Sequence, residues 1–185
     1  ELPDGAAGMP GVIIPRKTIA ELRRLLEDAE GAIEIALSDT KIQFNFSGVE
    51  LTSKLIDGSF PEYQRVIPEN NDKVLMLDAK EFGHAVDRVS TISADKTRAV
   101  KLNIDKDRVT LSVVNPESGT ATEDLGANYS ADSIEIGFNA RYLLDITSQV
   151  EGKEVRLLLA DSGSPTLIED TDDGRTLYVL MPMRV

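Results

Sequence analysis

The chain contains no cysteine and a single histidine, His84, among its 185 residues. Without cysteine there can be no disulfide, thiolate metal site or thiol nucleophile, an absence that suits a reducing cytoplasm. One histidine cannot build a multi-histidine metal centre, and histidine-dependent acid/base chemistry would rest on that residue alone. Because His84 falls on the polar side of a helix-patterned stretch, it reads as a surface histidine and takes no catalytic role. No apolar run reaches the roughly 18 residues a membrane span needs. Residues 1–11 also lack the basic and apolar regions of a signal peptide. Glycine-rich phosphate loops, serine elbows and metal-spaced clusters are absent too, so no cofactor or metal is expected. The acidic run Glu169, Asp170, Asp172 and Asp173 lacks the spaced ligands and closing glutamate of a calcium loop, and reads as a polar hairpin turn. Positive charge is scarce: 20 lysines and arginines stand against 32 acids, a net charge of −12. Phosphate binding draws its affinity from cations that displace counterions, so taken whole the chain repels nucleic acid.

What is present is repetition. Three short apolar strands, Val12 to Ile14, Val74 to Leu77 and Ile134 to Ile136, each lead directly into a stretch with helical apolar spacing. Ile19, Leu22, Leu25 and Leu26 mark the first helix, Phe82, Ala85, Val86 and Val89 the second, and Leu143, Ile146 and Val150 the third. Asp78 and Glu81 are spaced as a capping box, Asn139 suits the cap of the third helix, and Pro15 marks the first. Each helix precedes three runs with strand character, the weakest lying near Thr120 to Leu125. Short polar links such as Ser38-Asp39-Thr40, Asp105-Lys106-Asp107 and Asp173-Gly174 imply antiparallel hairpins. The fold class is therefore α+β, a β-α-β-β-β unit repeated three times, with antiparallel sheets carrying helices on one face. Two such units make a sensible domain and a third is left without a partner. A polar, proline-led stretch from Pro68 to Asp72 reads as the linker, which places residues 1–68 in an incomplete domain and 69–185 in a complete one.

Charge is unevenly placed along these units. Residues 16–27, 79–92 and 139–150, taken as the helices, carry seven lysines and arginines against five acids. The remainder carries 13 against 27. Arg16, Lys17, Arg23 and Arg24 sit on the first helix, with Lys80, Arg88 and Arg141 on the others. Taken alone these are ordinary solvated faces. Their equivalent positions in a repeat allow a shared, weakly basic lining and an acidic exterior, which could hold DNA loosely inside while repelling it outside.

Three strings are more specific than any pattern: TSKLIDGSFPEYQRVIP (Thr52 to Pro68), EIGFNARYLLD (Glu135 to Asp145) and the terminal YVLMPMRV (Tyr178 to Val185). They closely resemble the bacterial DNA polymerase III beta subunits, the sliding clamps, and the resemblance covers essentially the whole chain. It implies a non-catalytic processivity factor in which a head-to-tail homodimer closes a ring around double-stranded DNA, with no reading of base sequence. It also implies a hydrophobic pocket that docks short linear motifs from the polymerase III alpha subunit, the clamp loader, other polymerases and repair proteins. The matching residues here are Pro61, Arg65, Val66, Asn139, Tyr142, Val179, Met181, Pro182, Met183 and Arg184. Gly163 and Pro165 stand where some members carry bulkier or hydroxyl side chains, a departure that would reshape one wall. The chemistry suits the task, because methionines adapt to varied apolar side chains, tyrosine adds a hydroxyl to its apolar area, and arginines fix polar groups at a rim.

Thr91 and Ile92 match the family's ring interface. The chain starts at Glu1 without methionine and matches only the second half of the middle domain and the whole of the last, so the resemblance implies a truncated or proteolysed product. Such a product is expected not to close the ring. On pattern alone the stripe Tyr178, Met181, Met183 is core packing, and Arg65 and Arg184 are solvated surface; the family match is what makes them candidates. Two other function classes stay in view: a peptide-binding regulatory module without a DNA role, and a hydrolase using paired carboxylates, which no motif supports.

Overall fold

The computed structural model describes residues 5–93 and 98–184. It divides into two compact units, Glu1–Glu62 and Tyr63–Val185, so the division falls slightly ahead of the linker expected at Pro68 to Asp72.

The first unit runs α1 (Arg16–Leu26), β1 (Glu34–Leu37), β2 (Lys41–Phe46) and β3 (Val49–Lys54), with the strands forming an antiparallel sheet in the order β1-β2-β3. Alternation along β2 turns Ile42, Phe44 and Phe46 to one face, where they are buried, and Leu22, Leu25 and Leu26 of α1 pack against them. The turn between β2 and β3 is closed by Ser47 and Gly48, both at positive φ (47° and 76°), as a two-residue hairpin loop requires. The strand expected at Val12 to Ile14 is reduced here to one bridge, Ile13 to Ile56. No residue of α1 is fully buried.

The second unit opens with a short 3-10 helix, Tyr63–Val66. It continues through β4 (Lys73–Asp78), α2 (Ala79–Ser90), β5 (Ala99–Asp105), β6 (Arg108–Asn115), β7 (Gly119–Gly126), β8 (Ile134–Asn139), α3 (Ala140–Thr147), β9 (Glu154–Leu159), β10 (Thr166–Asp170) and β11 (Leu177–Leu180). These strands form two antiparallel sheets, β11-β10-β9-β4 and β7-β6-β5-β8. The leading strand of each repeat therefore lies in the sheet of the other: β4 pairs with β9 along Lys73 to Asp78, and β8 pairs with β5 along Ile134 to Asn139. No loop separates β4 from α2 or β8 from α3, so each leading strand ends where its helix departs and the other repeat takes its edge. That reciprocal exchange merges two repeats into one core. Leu75, Leu102, Ile136 and Leu157 are fully or almost fully buried within it, together with Phe82 and Leu143 of the two helices.

Helix starts follow local chemistry. The Asp78 carboxylate accepts from the backbone N–H groups of Lys80 and Glu81, both at 3.0 Å, and the Asn139 side chain accepts from Arg141 N at 2.9 Å, satisfying donors that a helix leaves orphaned. Gly83 lies where α2 closely approaches α3; a Cβ there would lie 3.0 Å from Thr147 Oγ1, so the threonine side chain would have to give by a few tenths of an ångström. At the far end, the buried Asp170 carboxylate accepts from the N–H groups of Glu151, Gly152 and Asp172 at 2.9–3.1 Å. The acidic run thus pins the loop that leads into β9.

Candidate functional site

Helix α3 and edge strand β11 leave a mostly apolar groove of about 410 Å³ between them, lined by Tyr142, Asp145, Ile146, Tyr178, Val179, Leu180 and Met181. Helical spacing sets Tyr142, Asp145 and Ile146 along one side of α3, with Ile146 nearly buried in the core beneath. Pairing of β11 with β10 fixes the other side: Tyr178 lies opposite Ile168 and Leu180 opposite Thr166. Tyr142 and Met181 are 55% and 62% exposed, so large apolar area faces solvent in a concave place. Burial pushes the Tyr178 phenol above its usual range, with Asp170 and Asp173 adding to the effect; the ring is neutral at ordinary pH. Asp145 puts one acid at the rim.

Of the expected pocket residues, Tyr142, Val179 and Met181 come together in this groove. Met183 and Arg184 line a second groove of about 290 Å³ with Ala99, Lys101, Ser112, Val113 and Val114. Met183 is held there by its own N–H, which donates to Gly137 O at 2.8 Å. The segment Met181-Pro182-Met183 passes directly from one groove to the other. Asn139 is engaged as the cap of α3 and is not among the residues lining either groove. Gly163 and Pro165 lie in the β9–β10 loop and are not among the residues lining either groove. Pro165 O accepts from Asn71 Nδ2 at 2.9 Å, and Gly163 N donates to Asp161 Oδ1 at 2.8 Å. Arg65 and Val66 lie exposed on the 3-10 helix, and Pro61 is exposed in the first unit. Sequence reasoning did not anticipate Asp145, Ile146 or Leu180. The spacing of Asp145 and Ile146 from Tyr142 on a helix was the available signal.

The basic helix residues divide into paired and free. Arg24 is ion-paired to Glu21 and Arg88 to Glu123 of β7, whereas Arg16, Lys17, Arg23, Lys80 and Arg141 are exposed and form no ion pair among the described residues. Counted from the caps Pro15, Asp78 and Asn139, the second helical residue is Lys17, Lys80 and Arg141. All three repeats therefore carry a cation at the positive end of the helix dipole, where it is disfavoured.

Thr91 closes α2, with its N–H donating to Arg88 O, while Ile92 packs against the core and its carbonyl accepts from Asn115 Nδ2 at 2.7 Å. Among the described residues the neighbouring β7 is a sheet edge without a further partner strand. Val185, the last residue of the terminal string, lies outside the described residues. No helix among those described is long and apolar enough to cross a membrane.

Comparison with known proteins agrees along the whole length. Residues 64–184 match the family of the DNA polymerase III beta subunit, C-terminal domain, and residues 1–62 match its central domain. The chain is 52% identical over 183 residues to the beta sliding clamp of Caulobacter vibrioides, covering 99% of this chain and 49% of that protein. It is 37% identical over 174 residues to the beta sliding clamp of Escherichia coli, covering 94% and 48%. The solved DnaN sliding clamp of Bartonella birtlesii bound to griselimycin superposes with a TM-score of 0.94 at 53% identity, covering 100% of this chain and 50% of that one. Caulobacter crescentus pol III beta gives 0.94 at 52% identity with the same coverage. The chain thus spans about half the length of these relatives, and with both family matches and this identity it belongs to the DNA polymerase III beta subunit family.

Proposed function

We propose that this chain serves as part of a cytoplasmic DNA sliding clamp, a non-catalytic processivity factor whose helices face double-stranded DNA and whose grooves dock polymerases, the clamp loader and repair proteins. The observation that carries the reading is the α3–β11 groove: concave, apolar, flanked by exposed Tyr142 and Met181, and continued by the tail into the groove of Met183 and Arg184. Such a shape suits an extended peptide with a few large apolar anchors, since a handful of buried side chains dominate this kind of recognition. Arg184 at the second groove suits an acidic group on the peptide, Lys101 there being paired with Glu135 at 3.0 Å, and Asp145 at the first suits a basic one.

The helix cations support the DNA half of the reading. A lysine or arginine at the second helical position costs roughly 0.3–1 kcal/mol against the dipole, and folding gives no return for it. Three repeats place one there, which fits a surface shaped by a polyanion. The solved Bartonella birtlesii clamp is bound to griselimycin, and a ligand-binding groove on this chain is in keeping with that. Homodimer ring closure would use the β7 edge with Thr91 and Ile92. The regulatory-module alternative shares the groove but leaves those three cations without a purpose.

The test is calorimetry with a short peptide carrying two adjacent leucine or phenylalanine anchors. Tyr142→Ala and Met181→Ala are each expected to weaken binding by about 1 kcal/mol or more. Unchanged affinity in both variants would move the site elsewhere.

A further inference from the structure

The three helices can be compared position by position from their caps, Pro15, Asp78 and Asn139. The second helical residue is a cation in each: Lys17, Lys80 and Arg141. One turn later, at the sixth, α1 carries Glu21 and α3 carries Asp145, whereas α2 carries His84, the chain's single histidine. Residues four apart are neighbours on a helix surface. Two of the three cations therefore have an acid beside them, and Lys80 has an imidazole.

His84 is exposed, and so are Lys80 and Arg88 one turn to either side. The three form a ridge along the solvent face of α2, away from the buried Phe82, Ala85, Val86 and Val89. Among the described residues the imidazole takes part in no hydrogen bond or ion pair. The charged groups around it are Lys80, Glu81, Asp87 and Arg88 on α2 itself, Glu123 on β7, and Arg141 and Asp145 on α3; β4, β5 and β6 turn buried apolar side chains toward the helix. Arg88 is spent on Glu123. With the ring neutral, the α2 face and Glu123 hold two cations against three acids, and one proton on His84 evens them. Imidazole ordinarily gains its proton between pH 8 and 5, where carboxylates, lysine and arginine keep their charge. The charge of this face alone is thus open to adjustment at working pH.

We propose that His84 is a further DNA-contact residue, one that in its protonated form takes a backbone phosphate beside Lys80, so that the grip of α2 on double-stranded DNA tightens as pH falls. The proposal rests on the DNA half of the clamp reading. The ring takes its proton from the buffer, and both ring N–H groups are then donors, one of them available to a phosphate oxygen. Phosphate favours the charged ring, so proton and DNA assist each other's binding. The gain is present at acid pH and is lost as pH rises through the imidazole range. Base sequence plays no part in a contact to phosphate.

Fluorescence anisotropy with linear duplex of mixed sequence at low salt tests this, comparing the purified chain with His84→Gln at about pH 8 and about pH 6. On going to the lower pH, affinity is expected to rise about two- to fivefold more in the unaltered chain than in the variant, the scale of one exposed charge contact. Its salt slope should steepen by up to about 0.9. An equal rise in both would overturn the proposal. His84→Lys, a permanent cation, is expected to bind at the higher pH as tightly as the unaltered chain does at the lower; binding no better than His84→Gln would mean that position 84 does not meet the DNA. Because the chain has one histidine, its ring protons give isolated NMR signals. Those signals should move when duplex is added at the lower pH, and signals that stay in place would also refute the contact. Lys80→Ala separates the two levels of failure. If it weakens binding while His84→Gln leaves the pH dependence intact, the histidine contact alone is wrong; if no substitution and no pH alters binding, the DNA-facing reading of the helices falls with it.

Discussion

Leucine 75 offers the sharpest check on the exchanged topology. It sits on β4, which belongs to one repeat by sequence and to the sheet of the other by pairing, and it is fully buried opposite Leu157. Truncation to alanine removes three carbons from a position with no solvent access, and Leu→Ala changes at such sites cost about 3–5 kcal/mol because transfer and cavity losses add. For a unit the size of Tyr63–Val185 that corresponds to a fall in Tm of roughly 12–19 °C. Val12 occupies the matching place in the first unit but is 37% exposed, and Val12→Ala should cost under about 1 kcal/mol in dilute solution. Urea titration followed by tyrosine fluorescence separates the units, because Tyr63, Tyr129, Tyr142 and Tyr178 all lie in the second. Leu75→Ala should move that midpoint strongly and Val12→Ala should leave it in place. If Leu75→Ala costs less than about 1.5 kcal/mol, well short of a buried leucine, β4 is not seated between the repeats and the topology is wrong.

Other expectations follow from single contacts. Gly152→Ala would place a Cβ 2.3 Å from Asp170 Oδ1, so it should lower the thermal midpoint of the second unit markedly, while Gly174→Ala, with open space around it, should not. The N–H groups of Asp172, Gly152 and Glu151 hold the Asp170 carboxyl below the usual carboxylate range; the stability it contributes is complete above the unfolded value near pH 4 and is lost as pH falls through the folded value, so Asp170→Asn should flatten the acid limb of a stability–pH curve. Lys80→Glu should raise stability by about 0.3–1 kcal/mol, since it replaces a cation with an anion at the start of α2. Met183→Ala should weaken a bound peptide by about 1 kcal/mol if the peptide crosses both grooves, and calorimetry with a peptide truncated at one end would show which groove each anchor fills.

Much of the fold is written locally and was legible. The spacing of Phe82, Ala85, Val86 and Val89 marks α2, Asp78 caps it as its side chain and position suggest, and Asp105-Lys106-Asp107 closes the β5–β6 hairpin. Strand exchange was not legible, because alternation along Val74 to Leu77 states that the strand is buried without saying which sheet buries it. The same blindness affected Val12 to Ile14: three apolar residues suffice for a strand only when a neighbour supplies the ladder. At the site, the terminal string pointed to a segment whose residues line two grooves. It could not show that Met181 and Met183, two residues apart, serve different grooves, nor that Arg88 spends its charge on Glu123, 35 residues away.

Electrostatics decides how tightly these helices would hold DNA. Seven helix cations were candidates, but ion pairs to Glu21 and Glu123 neutralise Arg24 and Arg88, which leaves Arg16, Lys17, Arg23, Lys80 and Arg141. Each phosphate neutralised releases counterions worth a slope of about −0.9 in log K against log salt. Five cations therefore set a ceiling near −4.5, and the net charge of −12 opposes even that through long-range repulsion. A weak, shallow, sequence-blind attraction is what a sliding contact requires, since tight phosphate contacts would arrest it. Fluorescence anisotropy of linear duplex across a salt series should show low affinity and a slope no steeper than this ceiling, shallower still when Lys17, Lys80 and Arg141 are replaced by alanine. A slope well beyond the ceiling, or a preference for one base sequence, would mean that contacts other than these helix starts hold the DNA.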